Sequence, residues 1–408
     1  MENNLKKYAD LIVKIGLNIS KGDILVINSP VESYDFTRIV VEKGYQSGAK
    51  EVVVHWSDEV VKRDRFLYGS DDIFETYPKW QVESLEYYAS QGASFLSIHS
   101  EDPTLLKDVN QERVAKYTTI RRKEMKHVMD RFMTNENRWC VISIPTKSWA
   151  KKVFNDSDDK VAVEKLWDAI FKATRVDLED PVQAWKEHND KLNKRKEFMN
   201  NMNFKKLYYK NSIGTDLELE LVKDHIWAGG GDLDTKGTPF MANMPTEEIF
   251  SMPLKTGVNG KVVSSKPLIY NGNIIDKFTL NFKEGKVVSF DAESGKDSLE
   301  ALLNMDIGSR YLGEVALVPY NSPISNTGIL FYNTLFDENA SCHLAFGEAY
   351  STCIKDGNSL NDESKEKVGM NTSLNHEDFM IGTEDLSIIG ETFSGEKVEI
   401  FRNGDWAI

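Results

Sequence analysis

The chain has 408 residues, a formal net charge of -14 and a pI near 5.1, so it is too long for one comfortable core and too acidic for a nucleic-acid surface, which needs surplus Lys and Arg. No window approaches the ~20 apolar residues that span a bilayer. Cys140, Cys342 and Cys353 are odd in number and widely spaced, without a Cys-x-x-Cys pair, which fits a reducing, cytoplasmic location.

Along the chain, Leu5 to Leu17 carries apolar residues at helical spacing, and Gly22-Asp23 then precedes the β-branched run Ile24 to Ile27. A helical pattern around Phe36 to Gly44 leads to a second run, Glu51 to His55. Ser94 to Ile98 and Trp139 to Ile144 repeat the continuous apolar form of buried parallel strands. The N-terminal part, residues 1–185, therefore reads as an α/β domain with a mainly parallel sheet. No G-x-G-x-x-G or G-x-x-x-x-G-K-[ST] follows these strands, so a nucleotide-dependent enzyme is disfavoured and the sheet reads as scaffold. Residues 186–204, within a charged, helix-permissive stretch that starts near Val182, read as a connecting helix whose Lys191, Lys194, Arg195, Lys196 and Glu197 form a solvated face. Beyond it the texture alternates at Leu217 to Leu221. Lys277 to Phe282 and Lys286 to Phe290 suggest a hairpin turning at Glu284-Gly285, so residues 205–408 read as a β-rich α+β domain. Gly229-Gly230-Gly231, followed by Asp232, reads as a loop or a close backbone approach.

The C-terminal half holds carboxylates and imidazoles in short apolar contexts, a donor inventory better suited to a pair of divalent ions than to a structural zinc knot. Glu314 lies on a strand-like run with Ala316 and Val318 on its face, where an unpaired carboxylate would be costly and a shared cation would offset the cost. His376 and Asp378 are two apart, so an extended segment projects both to one side and Glu377 to the other. Glu338 and His343 are five apart and fit neither one helix face nor one strand face, which predicts a change of conformation around Asn339 to Ser341. His343 to Tyr350 reads as helical, with His343, Gly347 and Tyr350 on one face and Gly347 sparing room for a substrate or metal. Thr246 is placed to cap a short helix bearing Glu247 and Glu248; one of the two would ligate and the other act nearby as general base. We assign Glu248 as ligand and Glu247 as base, although spacing alone permits the reverse. His55, His99, His127, His188 and His225 read as structural or surface residues.

Four ordered segments, Asn243 to Phe250, Gly313 to Val318, Asp337 to His343 and His376 to Gly382, resemble the thermophilic-type M29 metalloaminopeptidases, and the resemblance runs over essentially the whole chain. It implies a cytosolic, homodimeric aminopeptidase of broad specificity acting on peptides with a free N-terminus, with two divalent ions, Zn, Co, Mn or Mg. Carried onto matching positions, the metal set is Glu248, Glu314, Glu338, His343, His376 and Asp378, with His376 either a ligand or a group that orients one. Tyr350 matches the family's tyrosine. Two ions about 3.5 to 4 Å apart would activate a shared water, Glu314 could bridge them, Glu247 could shuttle the proton, and Tyr350 could donate to the oxyanion. The donor set alone also permits another two-metal amide hydrolase or a non-catalytic metal- or peptide-binding protein.

Overall fold

The protein is described from a computed structural model, covering residues 1–100, 102, 104–271 and 273–408. It divides into two compact units, residues 1–189 with 231–246, and residues 190–230 with 247–408.

The first unit is built on a four-stranded, wholly parallel sheet. Ile24–Pro30 lies between Glu51–Ser57 and Ser94–Ile98, and Trp139–Ile142 completes the far edge. Val26, Ile27, Leu96 and Ile142 are fully buried, which is why their strands read as apolar runs, whereas Glu51–Ser57 at the other edge has no buried residue. Tyr34–Gln46 supplies the first crossover helix, as the pattern predicts. Glu2–Leu11 is α-helical and passes into a π-helical turn over Ile12–Gly16. The return segment adds to the same sheet end: Val141 N–H donates to the carbonyl of Ala242.

The helix Pro181–Met202 begins in the first unit and ends in the second. Lys191, Lys194 and Glu197 of its charged cluster are exposed, as the composition suggests, but Arg195 and Lys196 are partly covered. Within the second unit, the Arg195 guanidinium lies 5.1 Å from the Trp406 ring centre, and Lys196 Nζ donates to the carbonyl of Gly229. Long basic side chains lay their apolar stems along such surfaces while their heads find partners.

The second unit is β-rich. A large, chiefly antiparallel sheet carries Phe204–Lys210, Asp216–Leu221, Pro253–Val263 and Asn273–Lys283. Lys286–Ser294 turns back on Asn273–Lys283 at Glu284 (φ 50°) and Gly285 (φ 80°). Two consecutive positive φ values are what a type I′ hairpin turn requires. A five-stranded antiparallel sheet sits beside it, in the order His376–Met380, His343–Gly347, Leu312–Leu317, Ile249–Ser251, Ala228–Gly229.

Two local expectations fail. His343 to Tyr350 is not a helix: His343–Gly347 is the strand between Leu312–Leu317 and His376–Met380, all five residues buried. Leu344, Ala345 and Phe346 accept either conformation, and pairing on both sides overrides their local preference. Gly347 has φ 95° and closes the strand, so its role is to turn the chain rather than to open a helix face. Thr246, Glu247 and Glu248 form no helix either. They run extended from the cis Met244-Pro245 bond into the strand Ile249–Ser251.

Candidate metal centre

The five-stranded sheet gathers the predicted donors through its register. Glu314 pairs with Ala345 and Ala345 with Asp378, so two carboxylates flank a methyl group in one row across three strands. Cross-strand partners share a face, and so do residues two apart along a strand. His343, Ala345 and Gly347 therefore line one face of the central strand, and Gly347 pairs with His376. Small residues at the middle and end of this strand leave a hollow, and the larger side chains of its neighbours lean into it. Glu248 enters from one residue before the Ile249–Ser251 strand.

Close approach of the edge strand also depends on a glycine. Gly229 pairs with Ile249 at φ 112°, and a Cβ there would meet the Glu248 carbonyl oxygen at 2.7 Å. The glycine run is thus the close backbone approach its composition suggests, and it lies directly behind a candidate ligand.

The distances define two donor sets with one member in common. His343 Nε2 lies 3.1 Å from Glu248 Oε2 and 3.4 Å from Glu314 Oε1. His376 Nε2 lies 3.6 Å from Glu314 Oε2 and 3.5 Å from Asp378 Oδ1. Donor atoms of Glu248, Glu314 and His343 fall within 4.8 Å of one another, and so do those of Glu314, His376 and Asp378. Each oxygen of Glu314 thus faces a different imidazole. Glu338 belongs to neither close set, but its buried carboxylate feels the charges of Asp378, Glu248, His343 and Glu314.

Both imidazoles are aimed from behind. His343 Nδ1 donates to the carbonyls of Glu338, at 3.0 Å, and Ser341; His376 Nδ1 donates to the carbonyl of Glu348 at 2.7 Å. Such backbone acceptors fix ring orientation and leave Nε2 for the hollow. The break between Glu338 and His343 is as expected: a 3-10 turn over Glu338–Ala340, then extended backbone at Ser341.

Charge is strongly unbalanced here. Burial pushes the Glu314 carboxyl up to about 7 and lifts Glu338 well above the usual carboxylate range, with Asp378 and Glu248 adding to the latter. Burial disfavours a charged His376, yet Asp378 and Glu314 outweigh it and raise the ring to about 10. Against burial, Glu248 and Glu314 likewise hold His343 well above its ordinary value. Asp378 also resists burial, because His376 beside it keeps its carboxyl low. Among the described residues no Lys or Arg forms an ion pair with Glu248, Glu314, Glu338 or Asp378. Among the described residues the buried Asp378 Oδ1 has no hydrogen-bond partner. Three buried carboxylates, the half-buried Asp378 and two aimed imidazoles fit divalent cations of the harder kind, and two dications would balance the four negative charges.

Glu247 and Tyr350 are placed differently. Glu247 is buried; its N–H donates to Asn339 Oδ1 at 2.8 Å, and its charge interacts with Arg195. Tyr350 reaches the hollow after the turn that follows Gly347, its ring 4.7 Å from the His376 ring and 5.7 Å from Phe250. Burial, reinforced by Glu314, keeps its phenol protonated. Asn339 and Glu348 were not singled out from sequence as functional. Asn339 is wholly buried and holds Glu247 N–H, the Leu335 carbonyl and Glu338 Oε1 together. An asparagine between two acidic residues and an apolar run was the available signal. Of the other histidines, His188 bonds the Thr246 carbonyl and His225 the Val222 carbonyl, both structural contacts.

The thermophilic metalloprotease (M29) family profile matches residues 1–406. Aminopeptidase 2 of Geobacillus stearothermophilus is 47% identical over 406 residues, covering 100% of this chain and 98% of that protein. Aminopeptidase T of Thermus aquaticus is 36% identical over 405 residues, covering 99% and 98%. The solved structure of wild-type AmpT from Thermus thermophilus matches with a TM-score of 0.94 at 34% identity over 100% of both chains.

Proposed function

This chain belongs to the thermophilic metalloprotease family M29 and is a metal-dependent peptidase, and from that premise we propose a broad-specificity aminopeptidase with a dinuclear metal centre. The observation that carries the two-ion reading is Glu314, whose oxygens face His343 on one side and His376 on the other. Glu248, Glu314 and His343 would hold one ion, and Glu314, His376 and Asp378 the other. Glu338 would complete the set from the position where its charge meets the other carboxylates.

When bound, the ions supply Lewis acidity: they lower the pKa of a water and polarise the scissile carbonyl. The chain's own residues do the rest. Glu314, which must shed its proton to ligate, lies between the two sites and would hold the donor sets at one spacing. His343 and His376, anchored through Nδ1, keep their Nε2 lone pairs directed at the hollow. Glu247 takes the proton of the attacking water and returns it to the leaving amine. Tyr350, kept protonated by burial, donates its O–H to the oxyanion as the carbonyl carbon becomes tetrahedral. Removal of N-terminal residues from peptides, rather than cleavage within them, is supported by the likeness to aminopeptidase 2 and aminopeptidase T.

A homodimer in the cytoplasm belongs to the same reading, and light scattering on the purified protein tests the dimer. The activity is tested with leucine-p-nitroanilide and its N-acetyl derivative, using metal-free protein titrated with cobalt or zinc. Metal-dependent cleavage of the free-amine substrate alone is expected. Equal cleavage of both would make it a broader amide hydrolase, and metal binding without turnover would make it a binding protein.

A further inference from the structure

Behind His376 one residue contacts the strand that carries it at three points. Glu348 follows Gly347, and its N–H donates to the carbonyl of Asn375 at 2.7 Å. Its own carbonyl accepts from His376 Nδ1 at 2.7 Å, and its carboxylate Oε2 accepts the N–H of Ser373. Backbone, carbonyl and side chain of a single residue thus grip three successive parts of the segment 373–376.

The rest of that segment is held more remotely. Asp306 accepts from Ser373 Oγ and from the N–H of Leu374, and Asn371 Nδ2 donates to the carbonyl of Gly347. None of these touches the His376 ring. The ring's acceptor is the Glu348 carbonyl, so the direction of Nε2 depends on where the Glu348 backbone sits. The carboxylate bond to Ser373 fixes that backbone against the segment three residues upstream of the ring. Tyr350 is two residues further along, and its ring lies against His376. A shift at Glu348 would therefore move a ligand and the oxyanion donor together.

We propose that Glu348 is a positioning residue: its carboxylate clamps Ser373 so that the Glu348 carbonyl aims His376 at the second metal position and sets Tyr350 beside it. This rests on the reading of His376 as a metal ligand. Outer-shell partners of this kind change metal affinity by about 10- to 100-fold when removed.

The test measures zinc or cobalt binding to the metal-free full chain by calorimetry, with the thermal midpoint of each metal-free variant recorded beside it. Glu348→Met keeps the side-chain length and removes the acceptor; Glu348→Gln keeps an acceptor oxygen. Glu348→Met is expected to weaken one of two binding events by about 10- to 100-fold with little change in the metal-free midpoint, and Glu348→Gln to restore it to within about threefold. The proposal is overturned if Glu348→Met binds both ions as the wild type does, or if Glu348→Gln is as weak as Glu348→Met. A Glu348→Met chain that does not fold, or whose midpoint falls with its affinity, would leave Glu348 a structural role only and overturn it too. His376→Ala is the control. Were it to bind both ions normally, His376 would not be a ligand, and the proposal would fall through its premise rather than through Glu348.

Discussion

The rings of Tyr350 and His376 lie 4.7 Å apart, centre to centre, inclined at 56°. The packing fixes the phenol relative to a candidate ligand without using its hydroxyl, so ring and hydroxyl can be separated by mutation. Tyr350→Phe should keep the packing, the metal affinity and the thermal midpoint while lowering kcat on the order of 10²-fold with little change in KM. Steady-state kinetics with leucine-p-nitroanilide reads the split. A large rise in KM at constant kcat would instead assign Tyr350 to ground-state binding.

Glu314 is buried, and both of its oxygens face imidazoles. Glu314→Gln should leave the metal-free fold as stable as the wild type, because it removes a buried charge and keeps the volume. Turnover should fall by at least about 10²-fold. Thermal melts and activity assays on the same preparation check both halves. Near-normal turnover would remove Glu314 from the mechanism.

The site makes metal uptake pH-dependent. His376 is raised from 6.5 to about 10 and Glu314 from 4.5 to about 7 in the metal-free chain. Both folded values lie above the unfolded ones, so each proton stabilises the metal-free fold at low pH. The Glu314 contribution is complete below about 4.5 and lost through about 7; that of His376 is complete below about 6.5 and lost through about 10. The metal-free midpoint should therefore fall across this range. Ligands must shed their protons to bind, so metal affinity should climb across it, and calorimetry at pH 7 in two buffers should show proton release. Uptake without proton release would contradict the ligand assignment.

Gly347 has φ 95°, and a Cβ there would lie 2.1 Å from the Asn375 carbonyl oxygen. Gly22 has φ 94° with nothing within 4 Å of its Cβ position. Gly22→Ala should therefore cost about 1 kcal/mol for the backbone alone, and Gly347→Ala at least about 2 kcal/mol more, with loss of metal affinity. Urea unfolding of the metal-free variants gives the difference. Equal costs would show that the segment before His376 yields easily.

Much of the fold was legible because its signals are local. Ile24 to Ile27 is apolar throughout, and Ser94 to Ile98 at Phe95, Leu96 and Ile98, since both faces of the sheet are covered there. Glu284-Gly285 marks its hairpin because two positive φ values favour such residues. His343 to Tyr350 misled because Leu, Ala and Phe at these positions carry no clear period; only the strands on either side decide that His343–Gly347 is extended. Glu348 was invisible for a similar reason, since its partners are His376 at the start of another strand and Ser373 and Asn375 just before it.

The sequence by itself determined the kind of centre this chain could build: carboxylates and imidazoles in apolar settings, where an isolated charge is untenable and a cation resolves the cost. It also determined that His376 and Asp378 share a side, because a strand alternates at every residue. Only the tertiary structure decided that Glu314 faces both imidazoles, that Ala345 leaves the hollow between Glu314 and Asp378, and that the charge of Glu247 interacts with Arg195. Those relations follow from the register between strands far apart in the chain. Register is fixed when whole faces are buried together, and no local period records it.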